Sequence, residues 1–363
     1  MIGQKALLFV FILFCPCILF AQVSEARDDY TQADSLALAV KYQNDINLLT
    51  KQLTAPFKDP VLKTRAIFRW ITANIAYDYK FYNKYEFKGR EPKGFECRGD
   101  STECNIRQKV WEMQYVIKVL SSGKAVCQGY AMLFKKMCDI AGIEAEVVPG
   151  YVRTEFYEIG TPGNLDHAWN VVRLRDSYYL LDPTWASGGC AKDDDGKMLP
   201  FHRHFNNYYW LTPADEFARD HFPEDPKWVL VYNYTKDKFS ANPYYEPGLI
   251  NYIKLLAPQS GIINAKKGDT LRFRLKYAGD FKDLQINTNV FQNPDIWTWE
   301  YVTSKKMIRV PDTVAIKKQQ YVKYMQIGDN YLFTYVVKDY SLEYIDIMFD
   351  RQRVMRFKVK VHG

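Results

Sequence analysis

The chain has 363 residues, of which 47% are hydrophobic and 25% are charged, with a formal net charge of +7. This composition excludes a disordered chain and predicts a globular protein long enough for two domains. Because the basic residues are scattered along the chain, we predict no nucleic-acid partner and no membrane-surface helix.

The N-terminus has the features of a secretory signal over residues 1–21. Lys5 precedes an apolar run over residues 6–20, and Ala21 supplies a small residue at the predicted cleavage site. The run is too short for a comfortable membrane span, so we predict no stable span after its removal. Two cysteines within the run raise a lipoprotein alternative, but their bulky neighbours argue against lipid attachment. We therefore expect an exported protein that is periplasmic, associated with the cell envelope or secreted.

Removal of this signal leaves five cysteines, which are Cys97, Cys104, Cys127, Cys138 and Cys190. An odd number in an exported protein leaves at least one thiol free, as a nucleophile requires. Cys97 and Cys104 are candidates for a small disulfide loop, with five reduced cysteines as the alternative. The sequence does not fix the pairing.

Helices are predicted for most of the first half of the chain. Residues 34–53 form an amphipathic pattern, and Asp59-Pro60 provides an N-cap and a first-turn proline for a helix that ends near residue 76. A third helix is predicted over residues 111–120.

A further helix is predicted to begin near Cys127 and to end before Gly142. Its apolar stripe comprises Cys127, Ala131, Phe134, Cys138 and Ala141. In the first turn, free N–H groups and the helix dipole favour a thiolate at Cys127 and could hold a developing oxyanion. The alternative is a small buried core residue.

His167 and Asp182 are predicted to be neighbours across a hairpin. Strand-like runs lie on both sides of the polar turn at residues 175–177, and both residues are nearly equidistant from that turn. Asp182 could then bind one imidazole nitrogen and leave the other for Cys127. Each residue alone is more often structural, but the thiol, imidazole and carboxylate together favour a catalytic triad. The strand-like runs are residues 143–153, 168–174 and 178–181.

Three neighbours of these residues are candidates for lining a substrate cleft. Gln128 follows the thiol, whereas Trp169 and Trp185 flank the imidazole and the carboxylate. The two tryptophans serve equally well as core residues.

Beyond residue 242, short strand-like runs alternate with turn residues such as Gly268 and Gly328. They predict a separate antiparallel β-sandwich with an immunoglobulin-like architecture. The runs are residues 270–277, 284–290, 331–337, 344–349 and 354–361.

The sequence blocks around the three reactive residues resemble the transglutaminase-like superfamily, a circularly permuted relative of papain-type cysteine peptidases. The blocks are GKAVCQGYA at 123–131, HAWN at 167–170 and DPTW at 182–185. The stretch over residues 208–228 resembles the kyphoscoliosis peptidase subgroup. The resemblance covers roughly residues 62–230.

The resemblance implies an α+β core in which the helix that bears Cys127 packs on an antiparallel sheet. It also implies that Cys127 is the nucleophile, His167 the general base and Asp182 the residue that orients it. No motif fixes the second oxyanion donor, for which Trp111 and Gln114 are candidates. The stretch over residues 86–104 is longer and more polar than the family leads us to expect, as a lid or an inserted surface loop would be.

We therefore predict a transglutaminase-like domain with N-terminal helices over residues 22–240 and a β-sandwich domain over residues 241–363. The predicted function is that of an exported cysteine-dependent enzyme acting on amide bonds, as a peptidase, a deamidase or a transglutaminase. Its substrate would be a polypeptide or a peptide, with a cell-wall peptide as one option, and no cofactor or metal ion is predicted. The alternative is a cell-envelope binding or scaffolding protein without catalysis.

Overall fold

The computed structural model describes residues 29–85, 95–97, 100–303 and 306–363. The predicted signal over residues 1–21 and most of the polar stretch over residues 86–104 lie outside them. The described α-helices are α1 Thr31–Ala39, α2 Ile46–Thr54, α3 Pro60–Asn74, α4 Tyr79–Lys84, α5 Ser101–Ser122, α6 Cys127–Ile140, α7 Pro183–Ser187, α8 Ala214–Phe217, α9 Lys236–Ser240 and α10 Thr313–Lys317.

The strands alternate with these helices in the first part of the chain and dominate after residue 243. In chain order they are β1 Ala76–Tyr77, β2 Lys124–Ala125, β3 Ala145–Val152, β4 Leu165–Leu174, β5 Ser177–Leu181, β6 Gly188–Gly189, β7 His202–Arg203, β8 His221–Pro223, β9 Tyr244–Tyr245, β10 Ile253–Ala257, β11 Ile262–Lys266, β12 Thr270–Tyr277, β13 Leu284–Thr288, β14 Trp297–Thr303, β15 Lys306–Pro311, β16 Tyr324–Ile327, β17 Asn330–Val336, β18 Tyr344–Phe349 and β19 Gln352–His362.

Two helix predictions are wrong in their bounds. The single helix expected over residues 34–53 is two helices, because Val40 is extended, Asn44 has a φ of 61°, and the Asp45 side chain caps a new helix. The helix expected to start at Trp111 begins ten residues earlier, where the Asp100 carboxylate accepts hydrogen bonds from two backbone N–H groups. Its first turns are too polar to show an apolar stripe. By contrast, α3 begins at Pro60 with Asp59 as its cap, as predicted.

The first part of the chain packs α6 against an antiparallel sheet of order β5-β4-β3-β8. The buried Asn170 amide of β4 donates to the Ala131 carbonyl in α6 and to the Glu146 carbonyl in β3, at 3.0 and 3.1 Å. Trp169 and Tyr130 are fully buried and belong to the core cluster that includes this helix and this sheet. The helix that begins with Cys127 is thereby fixed against the strand that contains His167.

The second part is a β-sandwich of two sheets with the orders β10-β12-β17-β16 and β11-β19-β18-β13. These orders correspond to the ABED and GFC sheets of immunoglobulin domains, with β11 added in parallel to β19. Phe273, Phe357 and Ile345 lie in a separate buried cluster between the sheets. The predicted α+β architecture followed by an all-β region is confirmed.

Arg219 joins the two parts of the chain. Its Nη1 donates to the carbonyls of Ile250 and Ile253 at the start of the sandwich, at 3.2 and 2.9 Å. Lys358 in β19 likewise donates to the Ile159 carbonyl at 3.5 Å.

A disulfide joins Cys97 and Cys104 at the start of α5. The other described cysteines, Cys127, Cys138 and Cys190, are free thiols. Among the described residues, the structure contains no helix with the length and apolar character needed to cross a membrane.

Candidate active site

Cys127 is the first residue of α6 and is 8% exposed. Val126 before it is extended, and its side chain does not cap the N–H groups of the first turn. Gly129 allows β2 and α5 to approach, since a Cβ there would lie 2.8 Å from Ala125 Cβ in β2 and 3.0 Å from Val119 Cγ2 in α5. Local packing therefore places the sulfur at the positive end of a buried helix.

A tight hairpin brings the imidazole to the carboxylate. Arg175 and Asp176 form its turn with φ angles of 48° and 66°, and the register pairs Asn170 with Leu181. His167 and Asp182 are therefore diagonal neighbours, and His167 Nε2 lies 2.7 Å from Asp182 Oδ2. The two residues that the sequence predicted to be neighbours are in direct contact.

The thiol of Cys127 lies next to the backbone just before His167. It is 3.8 Å from the carbonyl oxygen of Asp166, and the Cys127 side chain is one of the groups that raise the pKa of His167. Cys127, His167 and Asp182 thus lie in series at one site, with a direct hydrogen bond between the last two.

Asp182 is held by the backbone that follows it. Its Oδ1 accepts hydrogen bonds from the N–H groups of Thr184 and Trp185 at 2.7 and 3.1 Å, which caps α7. Its own N–H donates to the Tyr209 carbonyl at 3.0 Å. The carboxylate is fully buried and has one oxygen, Oδ2, directed at His167.

The electrostatics of the pair favour an ion pair between His167 and Asp182. Burial alone would lower the pKa of His167, but the Asp182 carboxylate and the Cys127 side chain raise that pKa to about 10. Burial would raise the pKa of Asp182, whereas its contacts with His167 and His221 hold it well below its usual range. The opposite charges outweigh desolvation at both residues.

The remaining site candidates occupy different environments. Trp185 is partly exposed, with its ring 5.2 Å from that of His167, as a cleft wall requires. Trp169 is fully buried, which favours the core role that the sequence left open beside the cleft role. Gln128 is exposed beside the thiol in sequence.

The two oxyanion candidates lie on α5. Gln114 is exposed, and Trp111 stacks on Tyr115 with the ring centroids 5.4 Å apart. Tyr115 in turn lies close to Gly129 in the first turn of α6. These contacts connect Trp111 to the nucleophile's helix through Tyr115, and they give no comparable link for Gln114.

A second histidine, missed by the sequence analysis, contacts the same carboxylate. His221 Nε2 lies 3.3 Å from Asp182 Oδ2, and His221 Nδ1 lies 2.6 Å from Asp220 Oδ1. It comes from β8, whose Val152–His221 pairing with β3 brings it across the sheet. In the sequence, an Asp-His dipeptide before an apolar Phe-Pro pair was the feature that could have drawn attention to His221. Its contact with Asp182 becomes evident only from the pairing of β8 with β3.

The donor atoms of His167, Asp182 and His221 lie within 4.8 Å of one another, which raises the question of a metal ion. Ligand atoms around a tetrahedral zinc with bonds of about 2.0 Å lie roughly 3.3 Å apart. The 2.7 Å contact between His167 and Asp182 is shorter and matches a charged hydrogen bond. The cluster therefore fits a hydrogen-bonded relay better than a metal site.

Residues 47–183 match the family model of the transglutaminase-like superfamily, and this range contains all three residues of the series. The chain carries a transglutaminase-like domain. The resemblance of its motifs to this superfamily is confirmed.

The transglutaminase-like domain also has relatives among animal proteins. Kyphoscoliosis peptidase is 26% identical over 247 residues in Mus musculus and 28% identical over 243 residues in Homo sapiens. Each alignment covers 66% of this chain but 32% of the relative, so the chain matches about a third of these peptidases. Hillarin from Drosophila melanogaster is 22% identical over 227 residues, which cover 60% of this chain and 25% of hillarin.

Asp220 and His221 lie beyond the residues that match the transglutaminase-like family model. The match to the family model ends at residue 183, one residue after Asp182. The contacts of this carboxylate with His221 are therefore a property of the structure that the family match does not include.

Proposed function

We propose that this protein is a cysteine-dependent enzyme that acts on amide bonds through an acyl-enzyme. The observation that carries the proposal is the 2.7 Å contact between His167 Nε2 and Asp182 Oδ2, with the Cys127 thiol at the start of α6 close enough to raise the pKa of the same imidazole. A nucleophile, a base and an orienting carboxylate in this order are the parts of an activated thiol.

In the proposed reaction, the Cys127 thiolate attacks the carbonyl carbon of the amide. First-turn N–H groups of α6 stabilise the oxyanion, and the His167 imidazolium gives its proton to the departing amine as the C–N bond breaks. Water or a second amine then attacks the carbonyl carbon of the resulting thioester and gives a proton to His167. The bond between that carbon and the Cys127 sulfur breaks, which releases the acyl group and restores the thiolate. Asp182 keeps the imidazole oriented and stabilises its charge.

Hydrolysis is the favoured outcome over transamidation. Water is abundant outside the cell, where export would place the enzyme, and we find no amine-selecting feature among the described residues. The proposed substrate is a polypeptide or a peptide, and a cell-wall peptide fits an exported enzyme.

We also propose export, on the basis of the signal-like residues 1–21. The disulfide between Cys97 and Cys104 supports this proposal, since disulfides persist in oxidising compartments. Fractionation of the producing cells, followed by mass analysis of the N-terminus, tests it. Recovery of the uncleaved chain in the cytoplasm contradicts it.

Alkylation by iodoacetamide tests the activated thiol. We expect Cys127 to react at neutral pH faster than free N-acetylcysteine, and His167→Ala to remove this advantage. Cys190 is an internal control, because burial raises the pKa of its thiol to about 11. Reaction of Cys127 no faster than the free thiol rules out the proposed nucleophile.

A binding role without catalysis is the second candidate function. The ribbon of β14 and β15 exposes Trp297, Trp299 and Tyr301, which alternate along one strand at 40%, 63% and 73% exposure. Such side chains are common at interfaces. A Cys127→Ala variant that keeps both partner binding and cellular activity supports this role instead.

A further inference from the structure

Asp182 lies between two histidines rather than beside one. His167 and His221 approach the same oxygen, Oδ2, at 2.7 and 3.3 Å, and their ring centroids are 5.7 Å apart. Asp220 binds the opposite edge of His221 at 2.6 Å. The relay therefore extends past the carboxylate to a further imidazole and a further carboxylate.

This arrangement defines the charge of His221. Both of its nitrogens face carboxylate oxygens, and both can donate only if the ring carries two protons. The titratable and charged groups around it are Asp182, Asp220, His167 and Tyr209, whose hydroxyl donates to Asp220 Oδ2 at 3.2 Å. Arg153 and Arg219 line a small cavity with Asp220.

The rest of the environment of His221 is aromatic. The ring of Phe217 stacks on it at 4.0 Å, and Trp185 and Trp169 lie at 4.5 and 5.0 Å. His221 is 1% exposed. A buried cation among such rings is stable only when it is paired, as it is here by two carboxylates. A side chain that served only to fill this space would not need either carboxylate.

We infer that His221, held as an imidazolium by Asp220, is a positioning residue that fixes Asp182 against His167 and adds positive charge that stabilises the Cys127 thiolate. The inference rests on the proposed function. A cation behind Asp182 offsets part of the negative charge of that carboxylate. The thiolate is then stabilised by more positive charge than His167 alone supplies.

The pH dependence of Cys127 alkylation in the full chain tests this inference. In His221→Gln, the amide can still donate to Asp182, but the positive charge is absent. We expect the midpoint of the alkylation profile to move up by about one pH unit, the size of shift that a nearby charge produces. Asp220→Asn keeps the ring and removes the group that holds it charged, so the midpoint is expected to move in the same direction.

Phe217→Leu is the matched control, because it thins the packing on His221 and changes no charge. We expect this variant to lower thermal stability without moving the midpoint. An unchanged midpoint in both folded charge variants, or an equal shift in Phe217→Leu, overturns the inference. If His221→Gln does not fold, Asp220→Asn decides alone.

The two proposals fail in different ways. If wild-type Cys127 reacts no faster than N-acetylcysteine, the proposed function fails whatever the variants do. If wild-type Cys127 is alkylated faster than N-acetylcysteine and the charge variants keep the same pH profile, the proposed enzyme function is retained. The proposed role of His221 is then wrong.

Discussion

At the scale of single residues, Asp182 combines two tasks in one carboxylate. Oδ2 contacts both histidines, whereas Oδ1 caps α7 through Thr184 and Trp185. The same side chain therefore fixes the local backbone and the imidazole. A substitution can separate these tasks if it keeps the cap and removes the charge.

Asp182→Asn is such a substitution, since asparagine also caps helices. We expect the alkylation rate of Cys127 at neutral pH to fall about 100-fold or more, because the imidazole loses its anionic partner. Thermal stability is expected to fall more in Asp182→Ala, which also loses the cap, worth about 1 kcal/mol. Equal alkylation rates for Asp182→Asn and the wild type would contradict the assigned role.

The raised pKa of His167 predicts how stability depends on pH. The folded value is about 10 against an ordinary value of 6.5. The charged ring therefore stabilises the fold fully below about pH 6.5, and this contribution is lost as the pH rises through about 10. Urea unfolding of the wild type and His167→Gln should show a difference that shrinks over this range. If the difference in free energy of unfolding between the two proteins instead grows with pH, the charged ring does not stabilise the fold and the ion pair is refuted.

At the scale of elements, β3 determines the geometry of the site because it pairs with both β4 and β8. Gly150 lies where all three strands meet. A Cβ there would lie 2.2 Å from Trp169 Cη2 and 2.5 Å from the Phe222 carbonyl oxygen. One of these contacts is backbone, so the sheet itself would have to shift.

Gly150→Ala is therefore expected to lower the free energy of unfolding by about 1–3 kcal/mol or more, as overpacking does. Gly248→Ala is the matched control, because its added Cβ meets nothing within 4 Å. Urea titration of both variants measures the difference. Equal stability of the two variants would show that the three strands can separate without penalty.

The sequence predicted an element correctly where the contacts that determine it join residues close together in the chain. The hairpin between β4 and β5 followed from strand patterns and a polar turn, so the contact of His167 with Asp182 was predictable. The break at Asn44 was not, because apolar residues continue at helical spacing across it. His221 was missed because 39 residues separate it from Asp182, and the pairing of β8 with β3 brings them together.

At the scale of the whole molecule, two separate buried clusters underlie the two parts of the chain. We propose domains over residues 22–240 and 241–363. The second contains both sheets of the sandwich together with β9, which pairs with β19. Each strand of the sandwich therefore pairs with strands that also lie within residues 241–363.

A fragment over residues 241–363 is accordingly expected to fold alone, with a single cooperative thermal transition and the circular dichroism of a β-protein. The full chain under the same conditions is the reference. A fragment without a cooperative transition would mean that the contacts of Arg219 and Lys358 across the junction are required for the sandwich to fold.

Arg219 connects the sandwich to the charged groups around His221. Two carbonyls of the sandwich accept hydrogen bonds from its guanidinium, which lines the same cavity as Asp220. A chain trimmed at residue 240 would lose the two acceptors of Nη1, while Nη2 would keep its contact with Glu216 at 3.4 Å. The freed Nη1 could then compete with His221 for Asp220. The trimmed protein would retain every reactive side chain, yet its thiol would ionise beside a rearranged set of charges.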